Sequence, residues 1–200
     1  MKKPLWVIGI DEVGRGPLAG PVTVCAVALP YDHYKKGMWR ELTDSKQMSP
    51  IARMRWYKEA ERLVKARSLQ YVVTSRSAHT IDTKGIASCI RECIVSNLKK
   101  LNLTPEYCVV LLDGGLKAPK EYINQQTIIR GDSQEQIISF ASVIAKVTRD
   151  QFMTKQHKSN PEYGWDQNKG YGTEAHILAI QSNGISPLHR LSFLTRILDK

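Results

Sequence analysis

One stretch constrains the fold more than any other part of the sequence. It extends from Trp6 to Leu29 and is WVIGIDEVGRGPLAGPVTVCAVAL. Its two β-rich runs, 6–12 and 22–29, flank a segment interrupted by glycine and proline. These residues disfavour a helix between the runs, because glycine is too flexible and proline lacks an amide hydrogen. The stretch therefore predicts two antiparallel strands joined by an irregular loop.

Helical and strand patterns alternate after this pair. Ser49 and Pro50 suit the N-cap and first turn of an amphipathic helix that extends to about Arg67. The next segment, LQYVVTSRSA, predicts a third strand. Within 81–101, apolar residues recur at helical spacing and predict a further helix.

The second half of the chain continues this alternation. A nearly all-apolar run, YCVVLLDGG, stops at Asp113 and suits a central strand covered on both faces. QTIIRGDS predicts a fifth, short strand, after which Ser133 and Gln136 fit a capping box that opens a long apolar helix. A last helix is expected over about 174–182. Together these elements predict one α/β domain over 1–200, with helices on the faces of its sheet.

The chain is strongly basic, with 29 Lys and Arg against 19 Asp and Glu and a net charge of +10. This excess favours a polyanionic partner, either nucleic acid or an anionic membrane surface, although a basic surface that binds nothing is the simpler alternative. Neither a signal-peptide pattern nor an apolar run of membrane-spanning length is present. We therefore expect a soluble, cytoplasmic protein.

The four cysteines include no C-x-x-C pair and have no histidine cluster near them. This spacing indicates neither a zinc site nor a disulfide framework. Cys89 and Cys93 are four residues apart, which predicts neighbours on one buried helix face.

Acidic residues stand where several strand-like segments stop or turn. They are Asp11, Glu12, Asp113 and Asp132. An unpartnered carboxylate at the end of an apolar strand is poorly explained by packing, because its burial is costly. Oxygen ligands without cysteine or histidine point to Mg²⁺ or Mn²⁺, ions that support phosphoryl chemistry. The sequence therefore predicts a hard-metal site, provided that these positions meet in space.

Each acid also has a simpler interpretation. Asp132 could cap the following helix, Asp113 could begin a turn, and Glu12 could be solvated. Adjacent strand residues point to opposite faces, so Asp11 and Glu12 cannot both direct their side chains at one metal from a regular strand. Either the strand distorts there or Glu12 contributes its backbone carbonyl.

The segment GRGPLA formally fits a dinucleotide-binding glycine motif. That motif requires a helix to begin at the glycines, and here proline leads into β-branched residues instead. Gly14, Arg15 and Gly16 better suit close approach of the backbone to one nucleotide's sugar and phosphate, with charge from Arg15. The alternative is a hairpin loop with an exposed arginine.

Several motifs together resemble the type 2 ribonucleases H, and specifically the bacterial ribonuclease HII family. They are GIDEVGRGPLAGPV at 9–22, LTDSKQMS at 42–49, LLDGG at 111–115, GDS at 131–133, SFASVIAKVTRD at 139–150, YGWDQNKGYGTEAH at 163–176 and HRLSF at 189–193. Their order is that of the family, and they cover nearly the whole chain.

The resemblance implies a ribonuclease H-like fold, with a five-stranded mixed sheet whose first three strands are antiparallel. It also implies a helical segment over about 160–200 that completes the substrate site. The implied activity is endonucleolytic hydrolysis of RNA in RNA/DNA duplexes, including a lone ribonucleotide in DNA. The cut would lie 5′ of the ribonucleotide and leave a 3′-hydroxyl and a 5′-phosphate, as needed in ribonucleotide excision repair.

The resemblance also implies roles for individual residues. The four acids would bind two divalent ions, one activating water and one stabilising the leaving 3′ oxygen. The GRG loop would recognise the 2′-hydroxyl through backbone contacts. Tyr171 would stack on the following sugar, whereas by itself it is an ordinary loop aromatic. Lys46 and Lys146 are candidate phosphate contacts, with an exposed lysine and a lysine extending from an apolar helix as the alternatives.

The resemblance has three local departures, and two other functions stay open. Gln47, Gly85 and Gly115 stand where the family usually has a lysine and two asparagines, which affects duplex contacts and loop stability. The alternatives are a non-catalytic nucleic-acid binding module and another ribonuclease H-like nuclease. We expect a monomer without a membrane partner, and no motif indicates a protein partner.

Overall fold

The computed structural model describes residues 3–35 and 48–198. Its sheet is formed by β1 (Trp6–Val13), β2 (Val22–Pro30), β3 (Gln70–Arg76), β4 (Cys108–Asp113) and β5 (Gln125–Ile128). The strand order is β3-β2-β1-β4-β5. The first three strands are antiparallel, whereas β4 is parallel to β1 and β5 is parallel to β4. The predicted antiparallel opening and the α/β class are confirmed.

Helices surround this sheet in the described part of the chain. They are α1 (Tyr31–Lys35), α2 (Pro50–Lys65), α3 (Ala78–Lys84), α4 (Ile86–Leu101), α5 (Gly131–Gln134), α6 (Gln136–His157), α7 (Trp165–Asn168), α8 (Glu174–Asn183) and α9 (Leu191–Leu198). Short 3₁₀ helices occupy Pro105–Tyr107 and Pro161–Tyr163. None of the described helices is long and apolar enough to cross a bilayer.

Both faces of the sheet are covered, which follows from the apolar runs in β2 and β4. On one face, Ile8 and Val24 pack with Ile94 of α4. On the other face, Val27 packs with Phe140 of α6 and with residues of α2. Because strand side chains alternate, each strand contributes to both cores. The predicted central, doubly covered position of β4 is confirmed.

The predicted helix at Ser49 is confirmed, and its end differs by two residues. The Ser49 hydroxyl oxygen accepts a hydrogen bond from the Ala52 amide at 3.2 Å. The helix ends at Lys65 because Arg67 adopts a left-handed conformation with φ 55°. The predicted helix over 81–101 is in fact two helices.

Gly85 separates those two helices. Its φ of 76° and ψ of 149° end α3 and open α4, a conformation that glycine adopts at little cost. Cys89 and Cys93 are both buried on α4, which confirms their predicted placement. Gly85 is one of the departures from the family pattern, and a side chain there would be strained by the positive φ.

The predicted capping box at Ser133 and Gln136 is wrong. Ser133 lies inside the short helix α5, and α6 begins at Gln136 with Glu135 as its N-cap and no side-chain cap bond. The reason is a tertiary contact, since the Gly131 amide donates to Asp113 at 2.7 Å and holds α5 against the end of β4.

A third core joins the C-terminal segment to the loop between β1 and β2. Leu18 and Ala19 of this loop pack with Met153, Trp165 and other buried residues of α6 to α9. Ala19 also forms an isolated β-bridge with His189. The helix predicted over 174–182 is confirmed as α8, with Thr173 as its N-cap. The loop after β1 is therefore held between the sheet and the C-terminal helices.

Candidate active site

Asp11 and Asp113 lie side by side at the ends of two parallel strands. The parallel pairing of β1 with β4 reaches Ile10 opposite Leu112, and the two aspartates are the next residues. Alternation places them on the face that α6 covers. Asp11 is buried and hydrogen-bonded to Ser142 of α6. Burial, and then the charges of Glu12 and Asp113, raise its pKa well above the usual value.

Glu12 lies on the opposite face of a strand that stays regular. The pairing of β1 with β2 continues through Glu12 and Val13, so the strand does not distort at this point. The Glu12 carboxylate binds the Arg15 guanidinium through one oxygen, while the other oxygen is buried without a partner among the described residues. Burial raises the pKa of Glu12, and Arg15 opposes that shift.

Asp132 is brought to the same strand ends by the contact that starts α5. Asp113 Oδ1 accepts the Gly131 amide at 2.7 Å, and Asp132 is the next residue. Asp132 is only 4% exposed. The simpler role of Asp132 as a cap of the long helix does not hold, because it lies within α5.

The charge and ligand type of this site fit a hard cation. Asp11, Glu12 and Asp113 repel one another, and the unpartnered Glu12 oxygen is a buried acceptor. Within 3–35 and 48–198, however, no three acidic, histidine or cysteine side chains are close enough to enclose one ion. The pairing of Glu12 with Arg15 contributes to this separation, since it holds that carboxylate on the α4 face.

A cleft of about 560 Å³ opens beside these residues. Glu12, Arg15, Asp113 and Gly115 line it together with residues of α4. Gly115, a departure from the family pattern, is exposed, and a Cβ atom there would contact nothing within 4 Å. The cleft therefore gives solvent and ligands access to the strand ends.

The GRG loop is held from inside by Arg190. Its guanidinium donates to the carbonyl oxygens of Gly14 at 2.7 Å, Arg15 at 3.0 Å and Gly20 at 3.0 Å. In a trans peptide the carbonyl and the following amide point in opposite directions. With the Gly14 and Arg15 carbonyls turned inward, the amides of Arg15 and Gly16 point away from Arg190. The loop thus presents two backbone donors outward.

Arg149 holds the next part of the same loop. It donates to the carbonyl oxygens of Pro21 at 2.9 Å, Ala19 at 3.0 Å and Lys169 at 2.9 Å. Both arginines are fully buried, and burial lowers the pKa of each, to about 10 for Arg190. A Cβ atom on Gly14 would lie 2.5 Å from Arg149 Nε, so glycine is required there.

Sequence reasoning missed Arg149 and Arg190. The signal was an arginine inside each of two motifs, SFASVIAKVTRD and HRLSF, that are otherwise mostly apolar or weakly polar. A buried arginine needs several acceptors, and here they are backbone carbonyls of a distant loop.

Tyr171 and Lys146 lie together beside this loop. Lys146 Nζ and Arg149 Cζ are each 5.7 Å from the centroid of the Tyr171 ring, which is 40% exposed. Lys146 Nζ also pairs with Asp150 at 2.9 Å, so it does not simply extend into solvent. The predicted phosphate contact Lys46, and Gln47 after it, lie outside the described residues.

Two buried histidines support Tyr171 from behind. His176 Nδ1 is 2.9 Å from the Tyr171 carbonyl, and its Nε2 lies 3.1 Å from the Trp165 Nε1 donor and 3.2 Å from His189 Nε2. His189 Nδ1 accepts from the Ser186 amide at 2.9 Å. These contacts are all satisfied when both rings are neutral, with protons on His176 Nδ1 and His189 Nε2. Sequence reasoning missed this pair as well.

Solved structures share this architecture. The ribonuclease H2 of Pyrococcus horikoshii OT3 superposes with a TM-score of 0.75 at 24% identity, covering 97% of each chain. Bst-RNase HIII in complex with Mn²⁺ superposes with a TM-score of 0.73 at 21% identity, covering 98% of this chain and 70% of that one. The RNase HII of Archaeoglobus fulgidus, solved with PCNA, has a TM-score of 0.71 at 23% identity over 94% of each chain.

Sequence comparison identifies the family. The family model for ribonuclease HII matches residues 8–196. A ribonuclease HII of Bacillus cereus (strain AH820) is 43% identical over 188 residues, which are 94% of this chain and 68% of that protein. A ribonuclease HII of Bacillus thuringiensis (strain Al Hakam) matches with the same identity and coverage. The chain therefore belongs to the ribonuclease HII family and is a hydrolytic ribonuclease.

Proposed function

We propose that the chain hydrolyses the RNA strand of RNA/DNA duplexes and cuts 5′ of a single ribonucleotide in DNA. The products would be a 3′-hydroxyl and a 5′-phosphate. The observation that carries the proposal is the juxtaposition of Asp11 and Asp113 with a loop that presents backbone donors and with Tyr171. Family membership supports the reaction class.

The acids would form the metal site of this enzyme. Asp11, Glu12, Asp113 and Asp132 would hold two Mg²⁺ or Mn²⁺ ions, which when bound supply an activated water and stabilise the leaving 3′ oxygen. The raised pKa of Asp11, which follows from burial and from the charges of Glu12 and Asp113, supports a cation here. The sequence left two options, a distorted strand or a metal ligand from the backbone carbonyl of Glu12. Because β1 is regular at this point, we favour the carbonyl oxygen as the ligand atom of Glu12. A relative solved with Mn²⁺ supports the choice of metal.

The loop and Tyr171 would select the nucleotide. The outward amides of Arg15 and Gly16 would donate to the 2′-hydroxyl and the adjacent phosphate, and Arg15 would add charge. A Cβ atom on Gly16 would meet nothing within 4 Å, so the loop leaves room for close approach. The exposed Tyr171 ring would stack on the next sugar. A 2′-hydroxyl is what distinguishes RNA from DNA at one position.

One assay tests this proposal. The protein is incubated with Mg²⁺ or Mn²⁺ and three duplexes: DNA with one ribonucleotide, an RNA/DNA hybrid, and DNA alone. We expect metal-dependent cleavage of the first two at the stated bond and none of the third. Salt-sensitive binding without cleavage would support a binding module instead. Cleavage of branched DNA without a ribonucleotide would indicate another nuclease of the same fold.

A further inference from the structure

A second cleft, separate from the carboxylates, has five cationic side chains in its lining. It has a volume of about 670 Å³ and lies between the first turns of α2, the second half of α6, and α7. The cationic residues that line it are Arg53, Lys146, Lys155, Lys158 and Lys169. Two acids, Asp150 and Asp166, also line it. Five cations therefore face two carboxylates in what is called here the basic cleft.

Contacts inside the basic cleft leave positive charge in excess. Asp150 pairs with Lys146 at 2.9 Å, and Asp166 lies 3.4 Å from His157. The Lys169 ammonium donates to the Thr154 hydroxyl at 2.9 Å and to a backbone carbonyl, which fixes its position.

Two further cations of the basic cleft point toward solvent. Lys155 and Lys158 are exposed and form no ion pair or hydrogen bond with a carboxylate within the described ranges. An exposed ammonium held by no acid is available to a phosphate oxygen.

Helix α6 connects the basic cleft to the carboxylates. Ser142 contacts Asp11, and Lys146, Asp150 and Thr154 follow on the same helix at intervals of four residues, with Lys158 as the C-cap directly after its end. At 1.5 Å per residue, Lys158 lies about 24 Å along the axis from Ser142. A duplex rises about 3.4 Å per base pair, so this distance corresponds to at most about seven base pairs.

We propose that the basic cleft binds the phosphate backbone of the substrate duplex on one side of the cut, up to about seven base pairs away. The cleft begins beside Tyr171, because Lys146 both lines it and lies 5.7 Å from the Tyr171 ring. The contact is sequence-independent, since ammonium groups meet phosphates and not base edges. This inference rests on the proposed function for its choice of duplex.

The test uses a charge-matched pair of double variants. Lys155→Ala with Lys158→Ala removes two cleft cations. Lys99→Ala with Lys100→Ala removes two exposed cations from the last turn of α4, on the opposite face of the sheet. Each protein is titrated with a labelled duplex in EDTA, by fluorescence anisotropy over a range of salt concentrations. Cleavage kinetics are measured separately with Mg²⁺.

The cleft variant should bind about tenfold more weakly at moderate salt, and its salt slope should fall by about two, one for each phosphate contact. Its KM should rise while kcat is retained, and the α4 variant should resemble the wild type. Shortening one flank of the duplex below about seven base pairs should weaken wild-type binding and leave the cleft variant unaffected.

Equal affinities and salt slopes for the two double variants would overturn the inference, as would insensitivity of the wild type to the length of either flank. Failure of the proposed function would give a different result, namely no cleavage by the wild type with Mg²⁺ or Mn²⁺. The anisotropy measurement in EDTA does not depend on cleavage, so the two failures are distinguishable.

Discussion

The strand ends and the loop beside them both contain buried charge. At the strand ends the buried charges repel one another, whereas in the loop they are hydrogen-bonded. At the strand ends, Asp11 is buried next to two other carboxylates, and one oxygen of Glu12 has no partner among the described residues. In the adjoining loop, Arg149 and Arg190 each donate to three backbone carbonyls. Unsatisfied like charges destabilise the fold and favour a cation, whereas a satisfied network fixes one geometry.

The largest expected effect comes from a change at the strand ends. Asp113→Asn should reduce cleavage of a ribonucleotide-containing duplex by about 10³-fold or more, because a metal ligand contributes several kcal/mol to the transition state. The amide oxygen can still accept the Gly131 amide, and one repulsive charge is removed. The free energy of unfolding in urea, without metal, should therefore stay equal or increase.

Asp32→Asn is the matched control, since Asp32 is exposed on α1. It should leave cleavage and unfolding unchanged. An Asp113→Asn protein that cleaves at the wild-type rate would remove Asp113 from the active site. One that unfolds more easily than the wild type would show that this carboxylate stabilises the fold.

Removing a buried charge from the loop should decrease the free energy of unfolding, in contrast to Asp113→Asn at the strand ends. Arg190→Met removes the donor from three backbone carbonyls, two of them buried, and should lower the free energy of unfolding by about 3 kcal/mol. Cleavage should also fall, by about tenfold, because the amides of Arg15 and Gly16 lose their fixed direction. Arg190→Lys should recover only part of both losses, since an ammonium cannot match the planar guanidinium.

Arg62→Met provides the comparison on the surface. Arg62 makes two bonds to Glu59 on one exposed helix face, and such pairs contribute little. Its loss should hardly change urea unfolding. If Arg190→Met were as harmless as Arg62→Met, the loop would not depend on its buried arginine, and the contrast between the two regions would disappear.

The smallest effect concerns pH and the histidines behind Tyr171. Burial, and then the neighbouring His176, lower the pKa of His189 from 6.5 to about 4. As the pH falls, the unfolded chain therefore takes up this proton before the folded chain does. The contribution of neutral His189 to the free energy of unfolding is complete above about pH 6.5 and is lost as the pH falls toward 4. Between pH 7 and pH 5 it should decrease by about 2 kcal/mol.

Urea unfolding of the wild type and of His189→Asn at both pH values measures this contribution. The wild type should lose more stability than the variant on acidification, by about the stated amount. His79→Asn, a change at an exposed histidine, should leave the wild-type pH dependence intact. A parallel loss in wild type and His189→Asn would mean that His189 is not held neutral by the fold.

Much of the fold could be predicted because its determinants are local. Alternating apolar residues and the glycine and proline of the first loop predicted β1 and β2, and Ser49 with Pro50 predicted the start of α2. The helix boundaries that were predicted wrongly depend on contacts between residues that are distant in the sequence. The capping box at Ser133 is the clearest case, because the Gly131 amide binds Asp113, which is 18 residues away.

The same distinction holds at the site. Strand ends and motifs made the four acids candidates, and motifs alone made the GRG loop a candidate, and their roles stay predictions, whereas Arg149 and Arg190 were missed. Arg149 donates to a residue 128 positions away, and Arg190 donates to one 176 positions away. No local sequence pattern indicates which backbone carbonyls accept hydrogen bonds from a buried guanidinium. Nor does spacing show that Glu12 turns to Arg15.

The sequence by itself determined the strand pattern and the family, and it predicted an oxygen-ligand site, because periodicity, turn residues and motifs are properties of neighbouring positions. Only the tertiary structure decided that Asp11 and Asp113 are adjacent, that the loop amides of Arg15 and Gly16 point outward, and that α6 connects the acids to the basic cleft. Those facts depend on strand register and on side chains that reach across the fold, and burial of charge selects among the possible arrangements.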